Sequence, residues 1–158
     1  MRPLIVICLI TVAIAGCSKR PHARMPTITS ERYQVAEAAL RHTMDEYLSS
    51  PSEREAYSTY VLDGGEFTSQ LVTAFSGYKP RVVANIQFAF AANGVATNKA
   101  NGEVVELWKV ENVVIHGDHA TANVQAYQCS QGMEYWTVHL HKLNGKWVFE
   151  SKTLDIVS

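Results

Sequence analysis

Asn144-Gly145 separates two runs in which apolar and polar residues alternate. Asn-Gly is the pair that most readily supplies positive φ at both centre positions of a two-residue type I′ turn. Such a turn leaves one register. Leu143 pairs with Lys146, Lys142 with Trp147, His141 with Val148, Leu140 with Phe149 and His139 with Glu150. Because side chains alternate across a strand, Trp136, Val138, Leu140, Trp147 and Phe149 share one face, expected to lie against helices. His139, His141, Val148 and Glu150 share the other, more polar face.

The period of two extends upstream. Glu103 to His116 reads as a long valine-rich strand, bulged near Glu111-Asn112, and Gly117-Asp118 as a turn. Ala120, Ala122, Val124 and Ala126 then alternate with Thr121, Asn123, Gln125 and Tyr127, and Ser130 to Gly132 marks another turn. Arg81 to Ala91 is predicted as a strand with Val82, Ala84, Ile86, Phe88 and Phe90 on one face, and Asn93 to Gly102 as a loop. Before Pro80 the period is near 3.6. Ser30 is placed to cap a helix over Glu31 to Leu48, whose stripe is Ala36, Leu40, Met44 and Tyr47. Ser52 and Glu55 have capping-box spacing, which predicts a second helix including Ala56, Tyr57, Tyr60 and Val61. Phe67, Leu71, Ala74 and Phe75 predict a third, closed by Gly77. The expected fold class is α+β, with N-terminal helices packed on a curved antiparallel sheet. The 158 residues, 47% of them hydrophobic, suit one folded domain over residues 31–158.

Residues 1–30 read as an address. Met1-Arg2 gives a positive start and Leu4 to Ile14 an apolar stretch of 11 residues, the length of a secretory core segment and too short to span a bilayer stably. Ile14-Ala15-Gly16-Cys17 resembles the lipobox of bacterial lipoproteins. The resemblance implies a signal peptide over residues 1–16, cleavage before Cys17, and acylation of its thiol and new amine. Two or more acyl chains make such an anchor stable. Ser18, rather than Asp, after that cysteine implies sorting to the outer membrane, facing the periplasm, in a Gram-negative host. Residues 17–30 follow as a tether bearing Lys19, Arg20, His22 and Arg24, with Pro21 and Pro26 opposing helix. It reads equally as a solubilising linker or as a basic stretch resting on anionic headgroups.

Cys8 leaves with the signal and Cys17 takes lipid, so Cys129 has no partner for a disulfide and reads as a buried, inert thiol. A formal charge of −1, from 14 basic and 15 acidic residues, excludes a nucleic-acid binder driven by overall charge.

The C-terminal pattern Val113-x-Ile115-x-Gly117-Asp118-x-Ala120-x-Ala122-x-Val124, then Trp136-x-Val138-x-Leu140-x-Lys142-x-Asn144-Gly145-Lys146-Trp147, resembles the NTF2-like superfamily, which includes SnoaL-like and ketosteroid-isomerase-like proteins. It covers about 50 residues; the helical half agrees in order of elements. The resemblance implies a cone with a pocket inside and dimerisation through the outer sheet face. It implies no single activity, since function lives in sites grafted on the fold.

Candidate sites are few. Glu106 and Glu134 are the strand acids an isomerase-like site would use, yet each suits a solvated surface equally. His139-x-His141 places two imidazoles on one face, with Glu150, His116 or His119 as third-ligand candidates, but no metal-ligand spacing backs it. Phe88, Phe90, Trp108, Trp136 and Phe149 are candidate lining for an apolar pocket, or core. No phosphate loop or nucleophile elbow occurs in the sequence. The expectation is therefore a lipid-anchored envelope protein with a non-catalytic domain for protein interaction, within an envelope or secretion assembly, without cofactor or metal. The alternative is a small apolar ligand-binding protein or an isomerase- or hydrolase-like enzyme. An open interior cavity would favour the alternative; a cone filled by its own side chains would favour the first.

Overall fold

The computed structural model describes residues 30–47, 59–84, 86–129 and 132–157. The signal peptide, Cys17, the tether up to residue 29 and residues 52–58 of the expected second helix lie outside the described residues. Helix α1 runs Glu31–Tyr47, β1 Thr59–Asp63, a 3-10 turn Gly65–Phe67, α2 Thr68–Ala74, β2 Arg81–Val83, β3 Phe88–Phe90 and β4 Ala96–Asn98. Four long strands follow: β5 Val105–His116, β6 His119–Cys129, β7 Gly132–Leu143 and β8 Lys146–Val157. The six-stranded sheet has the order β2-β1-β5-β6-β7-β8 and is curved but not closed; β3 and β4 form a separate ribbon.

Three expectations are corrected. Tyr60 and Val61 belong to strand β1, not to a helix, and β1 pairs in parallel with both β2 and β5. The sheet is therefore mixed, not antiparallel throughout. The physical reason is burial on both faces: Thr59, Tyr60, Val61 and Leu62 are all buried, and a run buried on both sides loses the alternation that marks a half-exposed strand. Second, Arg81–Ala91 is not one strand, because β2 joins the main sheet while β3 turns away to pair with β4, which occupies part of the expected loop.

The third correction concerns the hairpin. Asn144 and Gly145 have φ of 51° and 78°, as the type I′ turn needs, and Leu143–Lys146, Lys142–Trp147, His141–Val148 and Leu140–Phe149 pair as expected. Glu150 is then the extra residue of a bulge, so His139 faces Ser151 instead. A bulge displaces one residue from the ladder and bends its strand. The bulge expected near Glu111-Asn112 is present, with Asn112 at φ 52° and the register shifting between Glu111 and Val114.

Helix α1 covers one face of the sheet. Ser30 accepts from the Tyr33 backbone N–H at 3.2 Å and opens the helix. Val35, Ala36, Ala39, Leu40 and Met44 are wholly buried against Trp108, Val124, Trp136, Val138 and Leu140. Ala120, Ala122 and Ala126 on β6 share this face; their short side chains let the helix approach the middle of the sheet. Each end of α1 is also tied to the sheet, Glu31 to Lys142 and Glu46 to Lys152. Among the described residues, no helix is long and apolar enough to cross a membrane.

Candidate functional site

Aromatic side chains pack between α1 and the sheet. Trp108 stacks on Trp136 at 6.3 Å with 15° between planes, and Tyr47 meets both edge-on. Tyr60, Leu62 and Phe75 are buried around them. Glu106 projects into this interior with no solvent exposure, its Oε2 accepting from Trp108 Nε1 at 3.0 Å. A carboxylate in such a place needs hydrogen bonds to remain there. Glu134 is half-buried and accepts from the Tyr47 hydroxyl at 3.4 Å.

An opening exists on the opposite face. Val83, Val61, Leu107 and Tyr127 follow one another in register across β2, β1, β5 and β6. The ribbon lies over part of this row. Ala96, wholly buried, and Ile86 pack there with Val61, Val105 and Leu107 as a second, smaller core. Beside it a cleft of about 320 Å³ opens, with Val61, Leu107 and Trp108 on the sheet side and Phe88 and Phe90 on the ribbon side. Asp63, Lys109 and Tyr127 edge it. Phe88 and Phe90 pack edge-to-face at 5.8 Å yet stay 36% and 45% exposed.

The polar edge is fixed in place. Lys109 and Glu111 alternate on β5 with Gln125 and Tyr127 beside them on β6, so all four share the outer face. The Tyr127 hydroxyl donates to Gln125 Oε1 at 2.8 Å, and Gln125 Nε2 donates to Glu111 Oε1 at 2.5 Å. Glu111 Oε2 lies 2.5 Å from Lys109 Nζ. This hydrogen bond, more than any other influence, holds the Lys109 ammonium above its usual pKa range; the charges of Glu111, Asp63 and Tyr127 add to it, against partial desolvation. Satisfied chains of this kind restrict the groups that compose them.

Of the five aromatics singled out from sequence, the structure brings Phe88, Phe90 and Trp108 to the cleft, the last with its indole in the main core. Trp136 and Phe149 are elsewhere: Trp136 is under α1, and Phe149 stacks on His42 at 3.5 Å. Asp63, Lys109 and Tyr127 are not among the site residues expected from sequence. The signal was present in the alternation of β5 and β6, but the cleft needs β1 beside them, and β1 was read as helix.

The strand histidines gather on the outer face of the sheet. His116, His119 and His141 stand at successive register positions across three strands. A small cleft of about 90 Å³ is lined by His116, His119, Thr121, His139 and Glu150. Glu150, expelled from the ladder by its bulge, stands 3.7 Å from His119 Nδ1. Among the described residues, no group of three or more His, Cys, Asp or Glu side chains is placed to hold an ion. Cys129 lies in β6, and its side chain is outside the described residues. Comparisons with protein-family models, curated proteins and solved structures find no significant match.

Proposed function

We propose that this chain is a lipid-anchored envelope protein, held by acylated Cys17, whose domain is non-catalytic and receives a partner protein at the outer-face cleft. The cleft carries the reading. An apolar recess with two half-exposed phenylalanines at its mouth is a costly surface to leave in water, and patches of that kind mark binding sites. The packing of Trp108, Trp136 and Tyr47 between α1 and the sheet supports it too. The order of helices before a long-stranded antiparallel meander, with α1 across one sheet face, supports kinship with the NTF2-like superfamily.

The test has two parts. A photo-crosslinking amino acid at position 90, in cells, is expected to give a discrete adduct with one envelope protein, and at exposed position 32 on α1 none. A Cys17→Ser chain is expected to lose palmitate label and membrane partition. Absence of any adduct from position 90 would defeat the interaction reading; membrane partition of the unlabelled variant would defeat the anchor.

A second reading is that the cleft holds a small apolar molecule. Its volume, at the lower end of small-molecule sites, favours this. A native mass spectrum of protein from the envelope would then show a bound low-mass species that the Phe88→Ala, Phe90→Ala double variant lacks.

A further inference from the structure

The charges at the mouth of the cleft constrain what enters it. Lys109 is already engaged by Glu111, and Glu111 also accepts from Gln125. The Tyr127 hydroxyl donates to Gln125. Asp63, exposed at the end of β1, accepts only the Gly65 backbone N–H at 3.0 Å among the described hydrogen bonds of its side chain. Among the described residues that line the cleft the charged groups are Asp63 and Lys109; Glu111, outside the lining, pairs with Lys109 and so leaves the charge of Asp63 beside the apolar recess. Phe90, 45% exposed, lines the same cleft as Asp63. A negative site bordered by aromatic faces favours a cation, and the recess favours an apolar body.

We infer that the cleft takes a segment of a partner protein in which an apolar side chain stands beside a lysine or arginine. The apolar group enters between Phe88, Phe90 and Leu107, and the cation rests at Asp63. This inference rests on the cleft being the partner site, and adds the chemistry of the partner.

Three peptides capped at both ends, Leu-Phe-Lys, Leu-Phe-Gln and Leu-Phe-Glu, titrated into the ¹⁵N-labelled protein and followed by amide shifts, separate the two claims. The lysine peptide is expected to bind tightest, by roughly threefold to tenfold over the glutamate peptide at low salt, with the gap shrinking as salt is added. Shifts are expected at Phe88, Leu107 and Asp63. Asp63→Asn retains the oxygen that accepts from Gly65 and is expected to erase the preference for the lysine peptide over the glutamine and glutamate peptides. Phe90→Ala, at an exposed position, is expected to weaken all three peptides. Equal binding of all three, or preference for glutamate, overturns the inference and leaves the cleft as the site. No binding by any peptide, with unchanged shifts at the cleft, removes both. Binding of 4-phenylbutylamine at these residues without binding of the lysine peptide overturns the choice of a protein partner in favour of a free amine.

Discussion

Trp108 and Trp136, on strands separated by β6, lie stacked with ring centroids 6.3 Å apart across the alanine-bearing strand. Ala126 stands between them in register beside Trp108, and Val124 beside Trp136. The small side chain on the intervening strand is what lets two indoles from non-adjacent strands meet. Trp136→Ala is therefore expected to cost about 3–5 kcal/mol, because it removes a buried ring and leaves a void that Tyr47 and Lys152 cannot fill without giving up their own contacts. Trp136→Phe is expected to cost less. Urea unfolding at neutral pH measures both.

Arg41 links α1 to the end of α2 by two contacts and makes a third within α1. Its Nη2 donates to Glu37 Oε1 at 2.9 Å and to the Ala74 carbonyl at 3.2 Å, and its guanidinium lies 4.6 Å from the centre of the Phe75 ring. The side chain is 41% exposed, so solvent screening reduces the ionic part. Arg41→Ala is expected to destabilise by about 1 kcal/mol. Arg41→Lys is expected to recover little, since an ammonium offers neither the planar face nor the fork that serves helix and carbonyl together. A Tm or urea midpoint series settles the order.

Legibility in the sequence followed exposure. Where one face is buried and the other wet, as in β5 to β8, alternation gave each strand, the type I′ turn and the Glu111-Asn112 bulge. Where both faces are buried, as in Tyr60 and Val61, alternation vanished and an upstream capping box drew the strand into a helix. The cleft was lost with it, because Leu107 and Lys109 acquire their meaning only beside Val61 and Asp63. Glu150 shows a different limit. The turn dictates register for the four pairs after it, but nothing local announces that a later residue leaves the ladder, so His139 pairs with Ser151 and not with Glu150.

The hairpin turn itself gives a sharper test of backbone chemistry. Gly145 sits at φ 78° with no atom within 4 Å of an added Cβ, so a substitution there meets strain and not collision. Gly145→Ala is expected to cost about 1–2 kcal/mol from the left-handed conformation alone, and Gly145→Asn less, because asparagine tolerates that region. Equal losses for the two variants, measured by urea unfolding, would show that the turn changes type on substitution.

Tyr33 makes stability depend on pH in the alkaline range. It is 8% exposed on α1, and its phenol is pushed up from 10.0 to about 12, first by burial and then by the charge and hydrogen bond of Glu37, against Arg41. The unfolded chain loses this proton near pH 10 and the folded protein only near 12, so between those values the unfolded state binds fewer protons and stability falls as pH rises. Lys109, also raised, acts in the same direction, since its charge is retained longer in the folded state. The Tyr33 contribution is isolated by comparison with Tyr33→Phe, which removes the ionisable group and keeps the ring that meets Phe67 edge-on at 6.2 Å. The native protein is expected to lose about 2 kcal/mol more than the variant between pH 9 and pH 12. Parallel urea midpoints for the two proteins across that range would show that the phenol titrates alike in both states.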